Sequence, residues 1–185
     1  ALGLIYNAQG ESELAEKSFR RALSEDADYT RGRVYYGAFL FAQGRMAEAR
    51  DQFQAASEDT EYDDRGSVFF NLGMTQERLG ALDQAAAAYR RSVELSREAR
   101  ALLALSRVLV AQGQFEAASR YYSRLTTIIQ RNPRMTHSAE SLLTGIQIAR
   151  HFNDRDQEAS LALLLKNEYP GSAEYQQYKV LISND

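Results

Sequence analysis

The side chains able to do chemistry are few and scattered. Histidine occurs twice, at His137 and His151. Their spacing sets them at opposite ends of one expected helix, roughly 20 Å apart at 1.5 Å per residue. Imidazoles cannot share a metal across that span, and acid–base chemistry needs several converging groups. Cysteine is absent, which removes disulfides and thiolate metal sites. The acidic pairs Asp26/Asp28 and Asp63-Asp64 are shorter than the ladder of oxygen ligands a calcium loop requires, and they read as solvated turns. Each glycine stands alone, so no phosphate-binding loop is present. The sequence therefore assigns no catalytic, cofactor-binding or metal-binding residue, and it reads as non-enzymatic.

What remains is charge and apolar surface. The net charge is −3, unevenly spread. Residues 90–155 hold eleven arginines, no lysine and five acidic residues, a net +6 that leaves −9 for the rest. A nucleic-acid surface would combine lysine, arginine and stacking aromatics. The stretch reads instead as a solvated basic helix face, with no nucleic-acid partner expected.

Helices must position these groups. Hydrophobic residues make up 44% of the 185, enough for a core, and there are only two prolines, Pro133 and Pro170. No run approaches the 18 apolar residues of a membrane span. The segment Tyr36-Gly37-Ala38-Phe39-Leu40-Phe41-Ala42-Gln43-Gly44, continued by Ala49, Phe53 and Ala56, reads as two helices joined at Gly44. Shifted back by 34 positions the pattern returns as Gly3, Gly10, Ala15, Phe19 and Ala22. It recurs at Leu72-Gly73, Gly80, Ala85 and Tyr89, then at Leu105-Ser106, Gly113, Ala118 and Tyr122. Tyr6, Tyr36, Tyr89 and Tyr122 fall on the seam, which is core use. A fifth copy diverges: Gly145 keeps the close-approach site, Phe152 stands where the turn glycine was, and a longer turn through Asn153-Asp154-Arg155 follows. Thr136 or Ser138 is placed to cap its first helix, and Asp154 with Gln157 resembles a capping box. The tail is expected to form a capping helix whose apolar side is Tyr175, Tyr178, Leu181 and Ile182.

A period near 34 with this pattern resembles the tetratricopeptide repeat. The expected fold is all-α: a tetratricopeptide (TPR) superhelical solenoid of about five helix pairs in one domain spanning 1–185. The repeats fall at about 1–29, 30–65, 66–98, 99–135 and 136–170, with the capping helix at 172–182. Ala1 would lie partway through a first helix, so the natural N terminus is expected upstream. The resemblance implies a concave surface lined by the first helix of each pair. Its lining would be Leu4, Val34, Ala38, Phe41, Phe70 and Met74, then Leu103, Arg107, Val110, Ile146 and Arg150, with Arg78 and Arg100 beside them. That groove would be apolar in its first half and more basic in its second. The lysine/asparagine clamp of chaperone-binding members is missing, because Val34, Phe70 and Leu103 occupy the lysine sites and Ala38 and Met74 the asparagine sites.

Two stretches narrow the resemblance. The run from Gln54 to Tyr62, continued by Phe70-Asn71-Leu72-Gly73, is similar to the second-to-third repeat junction of the type IV pilus biogenesis lipoproteins called PilF or PilW. Phe152-Asn153-Asp154-Arg155-Asp156, followed by Glu158-Ala159-Ser160 and the run from Tyr169 to Gln176, is similar to that family's C-terminal end. The resemblance implies a pilotin, a protein at the periplasmic face of the outer membrane that helps localise and assemble the secretin of the pilus. It implies a pilus secretin subunit, or another protein or peptide, as partner, and no cofactor. It also implies a monomer held to the membrane only by an N-terminal lipid anchor, whose cysteine this sequence lacks. The alternatives are a generic TPR adaptor, a co-chaperone-like peptide-binding module or a regulatory domain of a larger protein.

Overall fold

A computed structural model describes residues 2–96 and 98–183; Ala1 lies outside the described residues. Among these the chain forms eleven α-helices and no strand. They group into two compact units, Ala1–Arg97 and Glu98–Asp185. The first unit holds α1 (Leu2–Ala8), α2 (Ser12–Glu25), α3 (Thr30–Ala42), α4 (Met46–Ser57), α5 (Arg65–Arg78) and α6 (Leu82–Ser96). The second holds α7 (Ala99–Ala111), α8 (Phe115–Arg131), α9 (Ala139–His151), α10 (Arg155–Glu168) and α11 (Ala173–Ser183). Helices pack as consecutive antiparallel pairs, and α11 lies against α9 and α10. None of these helices is long and apolar enough to cross a membrane.

The repeat pattern is a packing rule. A Cβ added at Gly37 would sit 2.9–3.0 Å from ring atoms of Phe53, so the ring of α4 rests directly on the α3 backbone. Phe19 lies in the same way on Gly3, and Tyr89 on Gly73. Ala15, Ala49, Ala85 and Ala118 are fully buried, as small residues must be where two helices approach closely. Around Ala15 and Ala49, the residues Phe19, Tyr36, Phe39, Leu40, Phe53 and Leu72 form one core cluster. Phe19 stacks on Tyr36 at 5.7 Å between ring centres. Burial of such rings supplies most of the stabilisation, on the order of 1.5–3 kcal/mol for each large apolar side chain.

Turn chemistry closes each pair. Gly44 has φ +76°, its N–H donates to the Phe41 carbonyl, and the N–H of Arg45 donates to Leu40. This is a Schellman ending, which needs a left-handed residue just past the helix. In the fifth pair that residue is Asn153, at φ 57°. Its N–H donates to Arg150 and that of Asp154 to Ala149, in the same pattern. This corrects the expectation that Phe152 replaces the turn glycine and that the turn is longer. Phe152 occupies the C-cap, the place of Gln43. Asparagine tolerates the left-handed region better than other non-glycine residues, so the turn keeps its shape without glycine.

The fifth pair also uses side-chain caps. Ser138 accepts from the N–H of Ser141, and Asp154 accepts from that of Gln157 at 3.0 Å. The capping box is half formed, because the Asp154 N–H is already committed to Ala149. At the end of the chain, Tyr175 and Tyr178 pack against the cluster of Leu142, Ile146, Leu161, Ala162 and Leu165. Leu181 is half-buried, whereas Ile182 is exposed and does not belong to the apolar side expected of it.

In the first unit a polar network sits beside the core. Glu16 accepts from Tyr36 at 2.9 Å, pairs with Arg45 at 2.7 Å and pairs with Arg20 at 2.8 Å. Arg45 reaches on to Glu48 at 2.6 Å. The Arg45 guanidinium, helped by the Tyr36 hydroxyl and Arg20, holds the Glu16 carboxyl down at about 2, against the opposing effect of partial burial.

Candidate functional site

The expected groove residues lie on the first helices of the pairs, but their environments differ. On α3 the side chains Val34, Ala38 and Phe41 follow one another at helical spacing. Ala38 is exposed, while Val34 and Phe41 are half-buried against the core. On α5, Phe70 and Met74 are half-buried, with the Phe70 ring 5.7 Å from that of Tyr89 and tilted by 50°. Tyr89 in turn donates to Glu77 at 2.9 Å. Arg78, in the last turn of α5, places its guanidinium carbon 5.7 Å from the centre of the Phe41 ring. That cation–π contact ties the two helices together. The result is a partly exposed strip of apolar side chains with a cation at one end.

Leu4 lies elsewhere in the unit's surface. It is 40% exposed and lines a cavity of about 600 Å³ with Leu2, Leu14, Tyr29 and Tyr35. Those neighbours were passed over by a reading confined to one helix face, since Leu14 belongs to a second helix and Tyr29 to a turn. Phe69 was also passed over. It packs against the core with the guanidinium carbons of Arg65 and Arg91 at 5.4 and 5.8 Å from its ring centre.

In the second unit the expectation needs correction. Ile146 is fully buried, at 0% exposure, within the cluster against which α11 sets Tyr175 and Tyr178. It is core and offers no surface to a partner. Leu103 and Val110 are half-buried. The arginines expected to meet acidic partner groups already have carboxylates. Arg107 pairs with Glu140 at 2.6 Å, Arg150 pairs with Glu158 at 2.6 Å, and Arg100 pairs with Glu98. Arg107 and Val110 line a cavity of about 350 Å³ that also takes in Leu143, Gln147 and, from α11, Glu174 and Gln177. The basic half is therefore a mixed polar surface rather than a field of open cations.

The histidines do not converge on a common site. His137 lies just before α9, with Nδ1 2.8 Å from the Ser141 hydroxyl and its carbonyl accepting from Tyr169 at 2.7 Å. Burial lowers its pKa below the ordinary histidine value. His151, at the other end of α9, lies flat on Phe115 with ring centres 3.9 Å apart. Among the described residues no group of three or more histidine, cysteine or acidic side chains is placed to hold a metal ion.

Models of the tetratricopeptide repeat match residues 1–29, 30–98 and 70–133. The type IV pilus assembly protein PilF of Pseudomonas aeruginosa is 35% identical over 180 residues, covering 97% of this chain and 69% of that protein. A solved structure of Pseudomonas aeruginosa PilF superposes with a TM-score of 0.83 at 34% identity, over 97% of this chain and 78% of that one. PilW, described as a widely conserved type IV pilus biogenesis factor, superposes with a TM-score of 0.75 at 26% identity, over 96% and 79%. The TPR protein YrrB gives a TM-score of 0.78 at 18% identity, over 96% and 88%, a likeness of fold alone.

Proposed function

Because this chain belongs to the PilF family of tetratricopeptide repeat proteins, we propose that it is a non-enzymatic scaffold of type IV pilus assembly, acting as a pilotin for the secretin. The relation to PilF along nearly the whole chain carries this reading. The surface described above supports a binding role: an apolar strip of Ala38, Phe41, Phe70 and Met74, closed at one end by Arg78. An apolar segment of the secretin subunit would lie along α3 and α5, with an acidic or aromatic group meeting Arg78. A few buried apolar anchors of this kind commonly dominate an interface. The protein would work at the periplasmic face of the outer membrane, held there by a lipid on a cysteine that these residues do not include.

The test is capture of the purified secretin subunit by variants that keep their fold. Ala38 is exposed, so Ala38→Glu introduces a charge on the strip without cutting into the core. The expected result is capture weakened at least tenfold with an unchanged melting temperature, a loss of about 1.4 kcal/mol or more in binding. Met74→Glu would do the same with some loss of stability. Undiminished capture by both folded variants would remove the strip from the interface. Normal secretin assembly in cells lacking the protein would remove the pilotin role itself.

A further inference from the structure

A pocket opens at the C-terminal end of α9. It measures about 470 Å³ and is lined by Phe115, Gln147, Arg150, His151, Asn153, Arg155 and Glu158. Most of its polar groups come from one short stretch, the end of α9, the turn and the start of α10. The Schellman hydrogen bonds through Asn153 and Asp154 fix that stretch. The His151 ring is held on two sides. Its face lies against Phe115 at 3.9 Å and 6°, and Phe152 meets it edge-on at 5.0 Å and 87°. This packing sets the plane of the imidazole while leaving its nitrogens without a hydrogen-bond partner among the described residues. The Arg155 guanidinium likewise has no partner among the described residues.

The charges limit what would fit. Arg150 and Glu158 neutralise each other at 2.6 Å. The Asp154 carboxylate is engaged at the cap of α10, and Asp156 stands exposed on the first turn of that helix. One guanidinium and one imidazole remain, with the side-chain amides of Gln147 and Asn153. That set matches a single carboxylate, whose two oxygens take the paired N–H groups of an arginine. A dianion would meet Glu158.

We propose that this pocket binds one peptide carboxylate, with Arg155 and His151 as its principal donors. The group is an aspartate or glutamate side chain or a free C terminus. This site belongs to the second unit and the apolar strip to the first, and it does not depend on the pilus role.

The test is a ¹H–¹⁵N spectral titration of the full chain with three short probes. One is acetyl-Ala-Asp-Ala-amide, carrying a side-chain carboxylate. The second is acetyl-Ala-Asn-Ala with a free C terminus, and the third is the same peptide amidated, with no carboxylate. The expected result is saturable shifts at Gln147, His151 and Asn153 with one or both carboxylate probes and none with the third. Which probe responds identifies the source of the carboxylate. Arg155→Gln, with an unchanged melting temperature, should weaken the response about tenfold, as expected on losing a charged hydrogen bond. Three results would overturn the proposal: no saturable shift with either carboxylate probe, an equal response to the amidated peptide, or a response unaltered in Arg155→Gln.

Discussion

The second and fifth helix pairs have the same backbone plan and hold it by different means. In the pair α3–α4, Gly37 is filled by Phe53 of its own repeat, Gly44 makes the turn, and neither helix has a side-chain N-cap. In the pair α9–α10, the equivalent partner of Gly145 is Leu161, whose Cδ1 lies 2.8 Å from where a Cβ would stand. The hydroxyl of Tyr122, from the preceding repeat, enters the same space. Burial pushes the pKa of that hydroxyl up to about 12. Asn153 makes the turn, and Ser138 and Asp154 cap the helices. A repeat fold thus conserves the volume between helices and the backbone at the turn, while the side chains that supply them are exchangeable.

The largest expected contrast is in the aromatic filler. Phe53→Ala should cost about 3–5 kcal/mol in denaturant unfolding, since the fully buried ring has no substitute. Leu161→Ala should cost less, about 2–3 kcal/mol, because Tyr122 shares the space. Equal losses would mean that the two pairs are packed alike. Next come the close-approach glycines. Gly37→Leu should force α3 from α4 and cost about 1–3 kcal/mol by overpacking. Gly145→Ala should cost a similar amount, part of it recovered by Tyr122→Phe, and a double-mutant cycle measures that coupling. No coupling would place the hydroxyl elsewhere.

The turns should give a smaller effect. Gly44→Ala forces a side chain into the left-handed region and should cost about 1–2 kcal/mol, whereas Asn153→Gly should change stability by no more than about 0.5 kcal/mol. A large gain from Asn153→Gly would show that the asparagine turn is strained.

The two units should also respond to acid in different windows. Glu16 has a folded pKa near 2 against 4.5 for the ordinary group. Its contribution is present above pH 4.5 and is lost as pH falls toward 2. His137 has a folded pKa below 6.5 because burial disfavours its charged form. The second unit therefore loses stability as pH falls below 6.5, ahead of the first. Melting curves of Glu16→Gln and His137→Gln against pH check this. Each substitution should flatten only its own window, and an unchanged profile for either would exclude that group as the cause.

The legible part of the molecule is the part written in local periodicity. Gly37, Ala49 and Phe53 recur at one spacing, so helix number, pairing and the aromatic-on-glycine seam follow from the chain. Caps follow too, because Ser138 and Asp154 act on groups three residues away. The candidate surface was legible only in part. Register puts Ala38, Phe41, Phe70 and Met74 at equivalent first-helix positions and the structure leaves them at least partly exposed, yet Ile146 in the same register is buried. The one-residue error at Phe152 arose from looking for glycine where the backbone asked for any residue able to adopt positive φ.

By itself, then, the amino-acid sequence determined the repeat: small residues where helices touch, rings to fill the seam and left-handed residues to close each pair. In the first three pairs these act within one helix pair and need no distant partner. Tertiary structure decided which first-helix residues remain surface and which charges remain open. Ile146 is covered by Tyr175 and Tyr178 from α11, Arg107 is matched by Glu140 from another pair, and Gly145 is filled by Tyr122 from the pair before. The physical reason is range. Helix periodicity records contacts within a repeat, whereas burial and ion pairing are settled by whichever distant segment packs against it.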